Sequence, residues 1–243
     1  MHVVDPFKVP VAEAVDKAVA VQRLGHPALI VASTDYEHFD EHMPGYLRML
    51  KDAVDIPLIL HFPPRRGTGL PMVAGADAAM FPALLGSRDD YFVWKSFLET
   101  VATLPRRGIP ADRCPEPLLS AALTFGADDI SYDLMGTVPV DGEPARLGFL
   151  ADVIRMFRFD IVYLYSRFAA VSPQDCRFFR EHLFPDQLIF VSGGIRSHAQ
   201  IDLYHRAGAD FVAFAGALEH PGWRATLEQM CPVPAGEPSG LAR

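Results

Sequence analysis

The chain lacks any apolar run of 18 or more residues, so no stretch of it is expected to cross a membrane as a helix. Cysteine is scarce: Cys114, Cys176 and Cys231 are odd in number and far apart, with no Cys-x-x-Cys pair. That pattern offers no disulfide framework and argues against a zinc site; incidental reduced thiols and a cytoplasmic location are the expectation. Positive charge is in deficit, with 22 Lys and Arg against 30 Asp and Glu and a net charge of −8. A deficit of that size argues against non-specific nucleic-acid binding and leaves local basic pockets open. The opening Met-His-Val-Val-Asp-Pro has no basic region leading into an apolar one, so no secretion signal is expected. The histidines are scattered and read as structural or surface residues.

What the chain does have is a repeating βα pattern. Its 243 residues, half of them apolar, fit one barrel-sized domain. Eight apolar runs of strand length fall at residues 3–5, 28–32, 58–62, 78–81, 118–124, 161–165, 188–191 and 211–214. Helical spacing separates most of them, clearest at 11–24, 91–104 and 147–157. Alternation of this kind predicts an α/β fold of parallel βαβ units, a (β/α)8 barrel over residues 1–230. One unit departs from the rule. Between Phe62 and Ala78 the chain reads Pro-Pro-Arg-Arg-Gly-Thr-Gly-Leu-Pro-Met-Val-Ala-Gly-Ala-Asp, whose prolines and glycines forbid a normal third helix. An extended segment is expected instead. Residues 126–143 read as a long irregular loop, and the Pro- and Gly-rich tail 231–243 as disordered.

The sharpest local signal is Leu-Ile-Phe-Val-Ser-Gly-Gly-Ile-Arg-Ser at 188–197, followed by Asp-Phe-Val-Ala-Phe-Ala-Gly-Ala at 210–217. Each is a strand that stops at glycine before a helix start. Either alone reads as an ordinary turn. The pair, consecutive and near the end of a barrel pattern, points to phosphate held by Ser192, Gly193, Gly194, Ile195, Gly216 and Ala217. Other candidates come from the remaining strand ends, where barrel chemistry sits. Asp5 ends the first strand and is either a turn residue or a metal or substrate ligand; magnesium accepts one or two carboxylates plus substrate phosphates. Lys8 faces solvent or a phosphate. Ser33 and Thr34 are helix caps or ligands of a diphosphate or metal. Arg167 and Arg196 are candidates for a bidentate pair with an anion. The end of the fourth strand, with Phe81 and Leu84, offers apolar walls of a kind that suits a lipid chain.

In order along the chain, Asp5-Pro6-x-Lys8, Ser33-Thr34, His61-Phe62-Pro63, Gly75-Ala76-Asp77-Ala78, Phe81-Pro82-Ala83-Leu84-Leu85, Tyr163-Leu164, Ser192 to Ser197, Ala209-Asp210 and Gly216 resemble the geranylgeranylglyceryl phosphate synthase family and its bacterial PcrB relatives. The resemblance covers nearly the whole chain. It implies a modified TIM barrel without a regular third helix, and transfer of a prenyl group from a prenyl diphosphate to a hydroxyl of a phosphorylated three-carbon acceptor. It also implies Mg2+, held by Asp5 with help from Ser33 or Thr34, a homodimer, and a transient membrane contact. Tyr163, Ser166, Arg167 and Arg196 would meet the acceptor. Lys8, Ser33 and Thr34 would meet the diphosphate, while Phe81, Leu84, Phe92 and Trp94 would line the prenyl chain. The family usually carries Tyr-Leu-Glu at the end of strand six and Gly-Asn in the last loop; here Tyr165 and Gly216-Ala217 stand instead. Loss of an anion with Arg167 gained favours an acceptor with an added carboxylate. The stretches Asp-Pro-Phe-Lys-Val-Pro, Ala-Ser-Thr-Asp-Tyr-Glu, Leu-Thr-Phe-Gly and Asp-Asp-Tyr-Phe-Val-Trp-Lys-Ser-Phe-Leu-Glu-Thr resemble a branch that joins cis-farnesyl to the 2-hydroxyl of 3-phosphoglycerate, toward phosphoglycolipid antibiotics. Tyr165 is the nearest candidate for a general base. The alternatives are a glycerol 1-phosphate prenyltransferase, a phosphosugar isomerase or aldolase, and a non-catalytic prenyl-lipid binder.

Overall fold

A computed structural model describes residues 1–34, 36–126, 134–166 and 171–232. Eight parallel strands follow one another in chain order: β1 (His2–Val4), β2 (Leu29–Ala32), β3 (Leu58–His61), β4 (Ala78–Leu84), β5 (Glu116–Thr124), β6 (Ile161–Tyr165), β7 (Leu188–Ser192) and β8 (Phe211–Ala213). The sheet closes on itself. Val3 donates its N–H to the Phe214 carbonyl at 2.9 Å, and Phe214 donates back to Met1 at 3.2 Å. This is the expected (β/α)8 barrel.

The helices that wrap it include α1 (Val11–Arg23), α2 (Phe39–Lys51), α3 (Lys95–Thr103), α4 (Pro144–Met156), α5 (Pro173–His182), α6 (His198–Arg206) and α7 (Trp223–Met230). None of the helices is long and apolar enough to cross a membrane among the described residues. Proline sits where its missing N–H costs nothing. Pro144 and Pro173 open their helices, and Glu143 and Ser172 accept the first free N–H groups.

Alternation along the strands sorts side chains into two cores. Val31, Leu58, Leu60, Phe81, Ala83, Ala121, Leu123, Val162, Leu164, Ile189 and Val191 face the helices. Ile30, Met80, Leu84, Ala122, Tyr163, Phe190 and Ala213 fill the barrel interior.

No helix forms between β3 and β4, as the prolines and glycines predict. The segment 62–77 instead lies against α3. Thr100 accepts the Leu70 N–H at 2.7 Å, and Thr103 donates to the Thr68 carbonyl at 3.1 Å. Gly69 permits that approach: a Cβ there would come within 2.4 Å of Thr100, and its φ is +68°. One consequence reaches the barrel wall. β3 pairs with β4 only at Ala78 and Ala79, while β5 follows β4 to Leu84. Leu85 donates to Ala122 of β5, so the alternate nitrogens of β4, Pro82's among them, point toward the unpaired side. Pro82 therefore removes no ladder bond. The tail expectation falls on residues 233–243, outside the described residues, as does part of the 126–143 loop.

Candidate active site

A cavity of about 870 Å³ opens at the carboxyl ends of the strands. Its polar lining residues fall into two groups, and most of the rest are apolar. The first group contains Asp5, just past β1. Its carboxylate accepts from the Phe7 N–H and from the Ser33 hydroxyl, both at 3.0 Å, and lies 3.2 Å from the Lys8 ammonium. Asp5, Lys8, Ser33 and Thr34 all line the cavity. The carboxylate is nearly buried, whereas Lys8 extends into solvent.

In the second group the turn after β7 carries Gly193 and Gly194, with φ of +97° and +69°. A Cβ on Gly193 would fall 1.6 Å from the Ser166 carbonyl oxygen, so no other residue fits without moving the backbone. Gln200 ties the turn to α6: it accepts the Arg196 N–H at 2.8 Å and donates to the Gly194 carbonyl at 3.3 Å. The N–H groups of Gly194, Ile195 and Gly216 have no acceptor among the described residues. Ser192, Gly193, Gly194, Ile195, Arg196, Gly216 and Ala217 all line the cavity. Unspent N–H groups beside a helix start make a cradle suited to an anion.

Tyr163 and Tyr165 stack at 5.8 Å on the β6 side. Burial pushes the Tyr163 phenol up to about 12, against a smaller opposing pull from its hydrogen bond with Ser192. Tyr163 is therefore a neutral donor near pH 7.

The structure brings together most of the residues singled out from sequence and separates a few. Leu84 lines the cavity. Phe81 does not: it faces the helices and packs on Phe97 at 5.7 Å. Trp94 is also outside, 42 % exposed and packed on Phe157 at 5.3 Å. Phe92 belongs to the inner cluster without reaching the cavity lining. Ser166 is buried behind the Gly193 turn and is likewise not a lining residue. Arg167 lies outside the described residues. Sequence reading placed Met80 and Pro82 in an apolar mouth at the end of the fourth strand, passed over Thr124 and Glu219, and took His61 and His220 for structural or surface residues; all six line the cavity. His38 and His42 do stand four apart, the spacing of a zinc helix. His42 instead contacts the Pro6 carbonyl at 2.8 Å, and no group of three metal-ligating side chains occurs among the described residues. Asp5 alone fits magnesium in the mode that relies on one carboxylate and substrate phosphates, not a cage built from protein alone.

Fold and cavity position define a (β/α)8-barrel protein with its site at the carboxyl face. No family model matches the chain. The geranylgeranylglyceryl phosphate synthase of Cenarchaeum symbiosum is 28% identical over 217 residues, 86% of this chain and 81% of that protein. That of Nitrosopumilus maritimus is 27% identical over 216 residues, covering 86% and 80%. Among solved structures, the (S)-3-O-geranylgeranylglyceryl phosphate synthase of Thermoplasma acidophilum, in complex with sn-glycerol-1-phosphate, superposes with a TM-score of 0.79. It is 21% identical and covers 95% of this chain and 90% of that one. In sequence the chain is similar to geranylgeranylglyceryl phosphate synthases, and in fold to a solved member of that group. The expected phosphoglycolipid branch finds no support in these likenesses, which favour the glycerol phosphate alternative.

Proposed function

We propose that the protein transfers a prenyl group from an allylic prenyl diphosphate to a hydroxyl of a glycerol phosphate, forming an ether. The observation that carries this reading is one cavity lined by two anion-suited groups, Asp5 with Lys8 and the Gly193–Gly194 turn, together with apolar side chains. Two anionic reactants held by those groups would meet within it. Magnesium bound at Asp5 would supply charge neutralisation for the diphosphate leaving group. Lys8, Ser33 and Thr34 would add donors to the same diphosphate. The amides of Gly194, Ile195 and Gly216 would hold the acceptor phosphate, with Arg196 beside them. Met80, Pro82, Leu84 and Ala122 would receive the prenyl chain and exclude water. Holding the hydroxyl against the allylic carbon is then the main contribution, worth roughly 7 kcal/mol or more.

A second acceptor, 3-phosphoglycerate, is favoured by one feature. Tyr165 lines the cavity where the family usually has a glutamate, so the carboxylate that would repel an acidic acceptor is gone. Incubation with labelled prenyl diphosphates and each acceptor in turn, read by product mass, tests both. Glycerol 1-phosphate is the expected acceptor; exclusive use of 3-phosphoglycerate would reverse the order, and no ether product with either would sink the proposal. A homodimer and a transient membrane contact belong to the same reading. The exposed Leu98, Val101, Phe149 and Met156 of α3 and α4 suit either. Sizing with and without lipid vesicles separates the two.

A further inference from the structure

The reaction proposed above releases a proton, and the two polar groups of the cavity are occupied with anions. His61, the last residue of β3, lines the same cavity. Its ring meets Tyr163 edge-on at 5.0 Å across the barrel, and Tyr163 in turn bonds Ser192 beside the glycine turn. Its neighbour in register on β2 is Ala32, which precedes Ser33 and Thr34. The imidazole thus adjoins the strand that leads into Ser33 and Thr34 and, through Tyr163, contacts the strand next to the glycine turn.

His2, His26 and His61 each have an enclosed ring nitrogen without a partner among the described residues, but of the three only His61 lines the cavity. In His61 that nitrogen is Nδ1, which leaves Nε2 as the nitrogen open to the cavity. An unpaired buried nitrogen costs about 1–3 kcal/mol. A cost of that kind, kept in the wall of a cavity, is characteristic of a group retained for chemistry. The other lining imidazole, His220, is exposed at the rim and spends its nitrogens on Gly222 and Thr226, both at 3.1 Å. Burial holds His61 near 4, so the free ring is neutral at pH 7 with a lone pair to offer. Neutrality matters, because an imidazolium would repel the allylic cation. The groups that face the ring's surroundings are Tyr163 and Tyr165 of β6, with Asp5 and Lys8 lining the same cavity; β2 and β4 contribute Ile30, Ala32, Met80 and Pro82, none of which titrates.

We propose that His61 is the catalytic base that removes the acceptor's hydroxyl proton. The inference rests on the prenyl-transfer reading. As the allylic C–O bond breaks, its electron pair leaves with the diphosphate. An acceptor oxygen lone pair forms the new C–O bond, and the oxygen's proton passes to Nε2 of His61, then to solvent. The oxygen becomes strongly acidic as it bonds carbon, so a base of low pKa suffices.

His61→Leu and His61→Asn test this, the second preserving polarity and approximate size without a basic nitrogen. Wild-type kcat is expected to show an acid limb centred near pH 4, between about pH 3 and 5. Both variants should lose that limb and about 100-fold or more in kcat, with both KM values within threefold of wild type. A folded variant with kcat within threefold of wild type, or one that keeps the acid limb, overturns the assignment. So does a wild-type profile flat across that range, which needs no variant to fold. Wild-type protein that forms no ether from either acceptor would instead defeat the prenyl-transfer reading itself.

Discussion

At the scale of single residues, two glycines receive the same substitution with opposite consequences. Gly193 combines φ of +97° with a Cβ position that overlaps the Ser166 carbonyl oxygen at 1.6 Å. Gly193→Ala must therefore displace backbone at the turn and misdirect the N–H groups beside it. A loss of about 2 kcal/mol or more is expected, together with a tenfold or greater rise in acceptor KM. Gly148, inside α4, has open space where a Cβ would go. Gly148→Ala should stabilise by about 0.5–1 kcal/mol. Paired urea melts and acceptor titrations check both; equal effects from the two variants would contradict the assigned role of the turn. Gly193 was legible in the sequence because two strand–glycine–helix units follow one another near the end of a barrel pattern. His61 was not, although its signal was present. In β3 the strongly apolar Leu58 and Leu60 alternate with Ile59 and His61, and once Leu58 and Leu60 are assigned to the helix layer, His61 must point inward. The same parity excludes Phe81 from the cavity, since Met80, Pro82 and Leu84 occupy the inner face of β4. Grouping apolar residues by proximity in sequence, without counting faces, is what misplaced it.

At the scale of elements, the missing third helix was readable from proline and glycine, but what replaces it was not. Which surface an extended segment lies on depends on partners far away in the chain. Here the partner is α3, through a threonine that nothing in the local sequence marks. Thr100 is fully buried, accepts from Leu70 and donates to the Ser96 carbonyl at 2.6 Å. Thr100→Val keeps the shape and removes both bonds, leaving a buried N–H unpaired. The expected cost is about 1–3 kcal/mol, with faster amide exchange at Leu70 than in the wild type. Unchanged exchange there would show that the segment is held by its packing alone. The length of β4 was misjudged for a related reason. Proline normally ends a strand reading, yet Pro82 sits within a seven-residue strand because β3 has already parted from it. The two departures share one cause: with no third helix to cover β3 and β4, their upper halves need not pair, and the wall stays open on that side of the cavity.

At the scale of the whole molecule, the alternation of strands and helices made the barrel legible, whereas its closure depends on a contact between the chain's ends. His2 and His26 bracket Phe214 at that seam, with ring centroids 5.9 and 6.0 Å from it. Both are buried among the barrel's first and last strands. Desolvation lowers His2 to about 3 and His26 to about 4, the carbonyl contact of His2 with Phe214 opposing the shift only in part. Unfolded, each would titrate near 6.5. Between pH 6.5 and about 4 the unfolded chain therefore binds protons that the folded chain refuses. Stability contributed by the two neutral rings is complete above pH 6.5 and is lost as the pH falls through that window. A few kcal/mol are at stake, enough to matter against the usual 5–15 kcal/mol of a folded domain. Urea melts at pH 7.0, 5.5 and 4.5 should show a steady fall, and His26→Gln, which cannot titrate, should roughly halve the slope between pH 6.5 and 4.5. A midpoint constant from pH 7.0 to 4.5 would mean that the seam takes up protons without opening, and that closure of the barrel does not depend on keeping these two rings uncharged.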